Sequence, residues 1–229
     1  MNEELLNLYE QQMQNLQKVS VNRELYDGPH LAFAFDDYIN ASTKILFVGQ
    51  EANGWIGYIS HNVKELIDKY KSFKLCDKGG KSYTAFWEYL YDFKNNLLKS
   101  GNNKDFMWLN VSKFCVAETG GTINDDDDFY VLNENFNVLS DEIKILQPEI
   151  VIFFTGANWD FAINHLLHNT VKFKNLNNET SLKEIAKLSS PFLPLHSYRL
   201  QHPRYLRKSK KWSNVELVLE NIRSARNNK

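Results

Sequence analysis

Lys44-Ile45-Leu46-Phe47-Val48-Gly49-Gln50-Glu51-Ala52-Asn53-Gly54 decides the fold, because an apolar run of strand length passes directly into a polar, glycine-bearing turn. Ile45 to Val48 are aliphatic or aromatic throughout, the pattern of a buried strand. Open α/β sheets bind ligands in the crevice at the carboxyl ends of their strands. A carboxylate and two carboxamides, Glu51, Gln50 and Asn53, therefore stand where a site is expected.

Around this strand, helix-period and strand-like segments alternate. A leading amphipathic helix covers about residues 1–20, and helices are expected over His61–Ser72 and Tyr83–Lys99. In the latter, Phe86, Leu90, Phe93 and Leu97 recur at spacings of three and four along one face. A short strand, Phe106–Asn110, ends on a polar residue, and the run Asp125–Asp128 reads as a solvated loop. Helix Asn133–Leu146 precedes Pro148, and Glu149–Phe154 is a second continuous apolar run. Thr155-Gly156-Ala157 then turns into a helix to about His168. An extended segment, Phe192–Leu200, leads to Gln201-His202-Pro203, and Ser213 caps a last helix to about Arg223. Strands separated by helices predict a three-layer α/β/α fold around a central, mostly parallel four-stranded sheet.

With 229 residues, 43% hydrophobic and 14% aromatic, the chain has the material for one domain over residues 1–229. No stretch approaches the ~20 apolar residues of a membrane span, and Met1–Ser20 is too polar for a signal peptide, so a cytoplasmic protein without membrane attachment is expected. Cys76 and Cys115 have no CxxC spacing, which disfavours structural zinc, an iron–sulfur cluster or a disulfide framework. His165 and His168 share a helix spacing without a third ligand. Neither a metal nor a cofactor is expected. The net charge of −1 conceals an asymmetry: His196–Lys229 holds nine Lys/Arg against two Asp/Glu, a net +7, and the remainder 18 against 26, a net −8. Such a split suits either a basic contact surface or a solvated tail. GxGxxG, GxxxxGK[ST] and GxSxG are all absent.

Four strand ends offer polar or small residues: Gly49-Gln50-Glu51, Asn110, Thr155-Gly156 and His202. In a parallel sheet they share one edge and can converge. A glutamate there can activate water, an asparagine can read a heterocycle edge, and a histidine can donate to a developing anion. Together they suit hydrolytic loss of an anionic leaving group.

On these residues the chain resembles the uracil-DNA glycosylase superfamily. Gly49-Gln50-Glu51-Ala52-Asn53 is similar to that family's first motif, Gly-Gln-Asp-Pro-Tyr. Leu109-Asn110-Val111-Ser112-Lys113 looks like the second, in the Asn-Val-x-Lys form of its thermophile-type branch, and His202-Pro203-Arg204-Tyr205-Leu206 resembles the third, His-Pro-Ser-Pro-Leu. Leu146-Gln147-Pro148 with Ile150–Gly156 is similar to its apolar third strand. The pieces occur in family order over roughly Lys44–Trp212.

The resemblance implies a monofunctional glycosylase that hydrolyses the N-glycosidic bond of uracil or a related damaged base in DNA, single- or double-stranded, as a monomer. Glu51 would position or activate water at C1′, and His202, neutral, would hydrogen-bond the leaving base. Gln50 and Asn53 would lie at the base site and Asn110 would pair with the pyrimidine edge. Leu206 would be the wedge that fills the gap left by a flipped nucleotide, with Arg204, Arg207, Lys208, Lys210 and Lys211 as phosphate contacts. The chain departs from the pattern where Glu51 replaces aspartate, Ala52 proline, and Asn53 the tyrosine that blocks the thymine methyl. The stacking phenylalanine is missing, with Trp55, Tyr58 or Phe73 as substitutes, and so are the cysteines of the iron–sulfur branch. The rival expectation is a non-catalytic member of the same fold that binds nucleic acid or protein.

Overall fold

The structure, a computed structural model, describes residues 1–76, 84–98 and 104–227. In chain order its elements are α1 (Asn2–Leu16), β1 (Tyr26–Asp27), α2 (Asp36–Ile39), β2 (Ile45–Gly49), α3 (Val63–Phe73), α4 (Ala85–Leu98), β3 (Phe106–Asn110) and β4 (Cys115–Val116). There follow α5 (Asp126–Asn135), α6 (Leu139–Leu146), β5 (Ile150–Phe154), α7 (Asp160–Leu166), β6 (Lys172–Lys174), β7 (Ile185–Ser189), β8 (His196–Leu200), α8 (Pro203–Ser209) and α9 (Ser213–Asn227). Tyr83 and Lys99, the expected ends of the helix that becomes α4, lie outside the described residues.

The architecture is α/β around one six-stranded sheet of order β3-β2-β5-β8-β7-β6. The four expected strands are present as β2, β3, β5 and β8, and each pairs in parallel with its neighbours among them. The expectation of a four-stranded sheet is corrected: β7 runs antiparallel to β8 and β6 antiparallel to β7, so the sheet is larger and mixed. β6 carries little sequence signal because it is only three residues long with lysines at both ends, and β7 because Lys187 interrupts its apolar run. Lys172 and Lys174 flank Phe173 on the edge strand β6, where charged side chains discourage pairing with another chain.

All five residues of β2 are buried, and so are those of β3, β5 and β8. Successive strand side chains point to opposite faces, so this burial means that both faces are covered. Phe47 meets Phe93 of α4 edge-on at 5.6 Å, whereas its neighbours Leu46 and Val48 face the other way. Helices α4, α8 and α9 pack together, α9 also against β8, while α1 packs on α3, α5 and α6.

The expected helix Asn133–Leu146 is two helices, broken between Asn135 and Leu139. The aspartate run is no loose loop either. The Asp125 side chain accepts from Asp128 N at 3.0 Å as the N-cap of α5, and Asp126 to Asp128 form its first turn, where negative charge faces the positive end of the helix dipole. Likewise the basic segment from His196 is not a solvated tail. It supplies the buried strand β8 and two packed helices, and Arg199 is fully buried in a bidentate pair with Asp160, both contacts 2.9 Å.

The loop after β3 carries a buried ion pair. Lys113 Nζ pairs with Glu142 Oε2 at 2.6 Å, both buried, and Tyr9 donates to Glu142 Oε1 at 2.8 Å. The loop after β3 is thereby anchored to α1 and α6.

Candidate active site

Parallel pairing places Gly49 directly opposite Asn110. At the same sheet edge, Gly156 donates its N–H to Leu200 O at 2.9 Å, and a Cβ at Gly156 would fall 2.8 Å from the Gln201 side chain. A glycine there, with φ of 77°, lets the ends of β5 and β8 approach. Gln50 crosses to the end of β5, donating from Nε2 to Thr155 O at 2.6 Å. Over these strand ends opens a cleft of about 750 Å³, and Gln50, Glu51, Asn53, Asn110 and His202 all line it.

Glu51 stands half-buried on the turn after β2 and accepts a hydrogen bond from Thr122 Oγ1 at 3.2 Å. Burial pushes its carboxyl up to about 7, a shift the Thr122 bond partly opposes. The turn carrying it is built from outside. Buried Asp27 accepts from Trp55 N and, at 2.9 Å, from Ile56 N. Cys115 Sγ accepts from Gly54 N at 3.3 Å. Gly120 packs so closely that a Cβ there would meet Asn53 C and Gly54 N at 2.9 Å. Asn53, at φ 55°, turns the chain in the left-handed region that asparagine tolerates.

His202 is the N-cap of α8, its Nδ1 accepting from Arg204 N at 3.2 Å. In a neutral ring the proton then resides on Nε2. Burial, and secondarily the Arg204 charge, pull its ionisation down to about 4, so the ring is neutral at physiological pH and keeps one N–H to donate. Phe86 stacks on it, 6.1 Å between centroids at 22°.

Asn110 is 1% exposed. Its Oδ1 accepts from Trp108 Nε1 at 3.2 Å, while Nδ2 is buried without a hydrogen-bond partner among the described residues. Trp55, Phe73, Phe86, Trp87 and Trp108 supply aromatic walls. Of the three expected stacking substitutes, Trp55 and Phe73 reach the cleft, whereas Tyr58 is exposed and instead donates to Glu65 at 2.6 Å.

The basic residues divide. Arg204 and Arg207 line the cleft, Arg207 already bonded to Glu88 at 3.0 Å. Lys211 is paired with Glu184. Lys208 and Lys210 are exposed and, like Arg204, have no ion pair among the described residues. Leu206 does not stand as the expected wedge: it is 0% exposed, on the inner face of α8, turned away from any nucleotide at the surface. One residue earlier, Tyr205 is 48% exposed.

Sequence reading misses Thr122, Asp27, Phe86, Trp87 and Trp108 as parts of the site. For Trp108 a signal exists, since residues two apart on a strand share a face and Trp108 precedes Asn110 by two. Thr122 and Asp27 carry none, because both reach the first turn from distant parts of the chain. Comparison with protein-family models returns no match, and no curated protein matches the sequence. Among the described residues no helix is long and apolar enough to cross a membrane.

Proposed function

We propose that this chain is a uracil-DNA glycosylase-like hydrolase that releases uracil or a related damaged base from DNA. The observation that carries this reading is the gathering of Glu51, Asn110 and His202, from three separate strand ends, in one aromatic-walled cleft. The four parallel strands would then be the sheet of a three-layer glycosylase-like core, acting as a monomer.

The extruded base enters between aromatic walls and accepts a hydrogen bond from Asn110. As the bond from C1′ to the base nitrogen breaks, the electron pair leaves with the base, and the Nε2–H of neutral His202 stabilises the charge growing on its carbonyl oxygen. Ionised Glu51 balances the cationic sugar and takes a proton from the water that adds to C1′. Burial is what makes both assignments useful, since it keeps His202 neutral and holds Glu51 near neutrality as a base. Arg204 at the cleft, and the exposed Lys208 and Lys210 that follow it in the chain, are suited to phosphates. Exposed Tyr205 among them, in place of Leu206, offers a face on which a base can stack.

The test is release of free base from a uracil-containing oligonucleotide, single- and double-stranded, measured beside binding to the same strands. Release that disappears in Glu51→Ala supports the reading. Binding without release would favour a non-catalytic nucleic-acid-binding member of the fold, and neither binding nor release would refute the glycosylase reading and leave the protein-binding alternative.

A further inference from the structure

Asn110 is a cleft side chain whose hydrogen-bonding direction is fixed by a neighbour. An indole N–H can only donate, so the Asn110 atom that faces Trp108 Nε1 at 3.2 Å must be Oδ1. The amide is thereby set, and Nδ2, buried and without a partner among the described residues, is the group left for a ligand. Gly49 belongs to the same device, because a Cβ there would fall 2.5 Å from Asn110 Oδ1 and push the amide away. Trp108 is itself immobilised. Tyr70 OH donates to Trp108 O at 3.0 Å and accepts from Trp108 N at 3.3 Å, closing the free edge of β3, and Trp87 packs on the indole at 5.0 Å.

We infer that Trp108 is a positioning residue that locks Asn110 with its donor toward the cleft, so that the site selects bases carrying a carbonyl oxygen at its floor and rejects those carrying an amino group there. Without the indole, the amide can turn over, present Oδ1, and accept an amino base. Uracil, thymine and 6-oxopurines offer a carbonyl acceptor, whereas cytosine and adenine offer an amino donor. Opposing donors in a buried site leave both unpaired, the situation in which discrimination is largest. The ligand assignment rests on the base-excision reading, but the orienting contact does not.

The experiment has two arms. In the first, base release from oligonucleotides carrying uracil or cytosine at the same position is compared for the wild-type chain, Trp108→Phe, Asn110→Ala and the double variant. Wild type is expected to prefer uracil strongly, and Trp108→Phe to reduce that preference about tenfold or more by loss of one hydrogen bond to the reading group. In the Asn110→Ala background the same change should do nothing further. Equal preference in wild type and Trp108→Phe, or an undiminished effect of Trp108→Phe without Asn110, would overturn the inference. Should Trp108→Phe fold poorly, benzothienylalanine at position 108 keeps the ring shape and replaces N–H by sulfur.

The second arm needs no ligand. In ¹⁵N-labelled protein the Trp108 indole N–H should exchange slowly with solvent, and its resonance should shift in Asn110→Ala. An indole signal indifferent to that change would overturn the orienting contact. If the wild-type chain released no base while this contact was confirmed, the proposed function would fall, and the carbonyl-binding site would be judged by titrating free uracil against cytosine. A shift of the Trp108 signal by cytosine as great as by uracil would then refute the selectivity.

Discussion

Thr122→Val removes one hydroxyl and keeps the side-chain shape, and its effect can be worked out from a single contact. Thr122 Oγ1 donates to Glu51 Oε2 at 3.2 Å, a bond that favours the ionised carboxylate. Hydrogen bonds to charged groups contribute about 1.5–3 kcal/mol. At 3.2 Å this one is longer than the ~2.5–2.7 Å of a strong charge-assisted O–H···O bond, so the lower end applies. That corresponds to about one pH unit. The wild-type group ionises near 7 because burial raises it, and the variant should therefore ionise near ~8. Because the proposed mechanism needs the carboxylate, base release in wild type should climb with pH through about 7 and level off above it. His202, held neutral down to about 4, contributes no limb in that range. At pH 7 the ionised fraction would fall from about a half to about a tenth, a roughly fivefold loss of rate that vanishes by about pH 9. The assay is kcat/KM for release of uracil from an oligonucleotide between about pH 5.5 and 9.5, a window that brackets both ionisations. Superimposable pH profiles, or a loss equal at every pH, would refute Glu51 as the titrating base and Thr122 as its partner.

Glu51→Gln should lower turnover about 10²-fold or more while leaving strand affinity near wild type. The folded-state ionisation of Glu51 is raised above its unfolded value, so wild-type stability falls as pH rises from about 4.5 to about 7, and the variant should lose this dependence in denaturant titrations. Neutralising Arg204, Lys208 and Lys210 together should weaken strand binding and flatten its salt dependence, by about 0.7–0.9 in slope for each phosphate no longer neutralised. An unchanged salt slope would remove these three from the interface. Lys113→Met should cost about 3–5 kcal/mol by stranding the buried Glu142 carboxylate, read from chemical denaturation. A loss below about 1 kcal/mol, typical of exposed pairs, would show that the pair is not isolated from water.

The parallel strands are legible because each is an extended segment closed by a polar or glycine residue, and β2 and β5 are continuous apolar runs, the mark of burial on two faces. Their ends name Glu51, Asn110 and His202, and these three do line one cleft. The β6–β7 extension is not legible. β6 is an exposed edge with lysines outward, and β7 breaks its apolar pattern at Lys187. The aspartate run reads as a loop because composition cannot tell a solvated acidic stretch from the first turn of a helix that its charges stabilise. Leu206 fails for a similar reason. A motif position fixes a residue in sequence, whereas the rotation of α8 about its axis decides that Leu206 faces the core and Tyr205 the solvent.

By itself, the sequence determined the α/β class, the four parallel strands and the residues at their ends, since these follow from side-chain periodicity and backbone chemistry along neighbouring positions. Tertiary structure alone decided the protonation and orientation of those residues. Glu51 is raised by burial on a turn that Asp27 and Thr122 hold in place, His202 is kept neutral by its burial beside Phe86, and Asn110 is turned by the indole of Trp108. Ionisation and hydrogen-bond direction depend on which groups exclude water around an atom, and those groups come from parts of the chain that no local pattern connects.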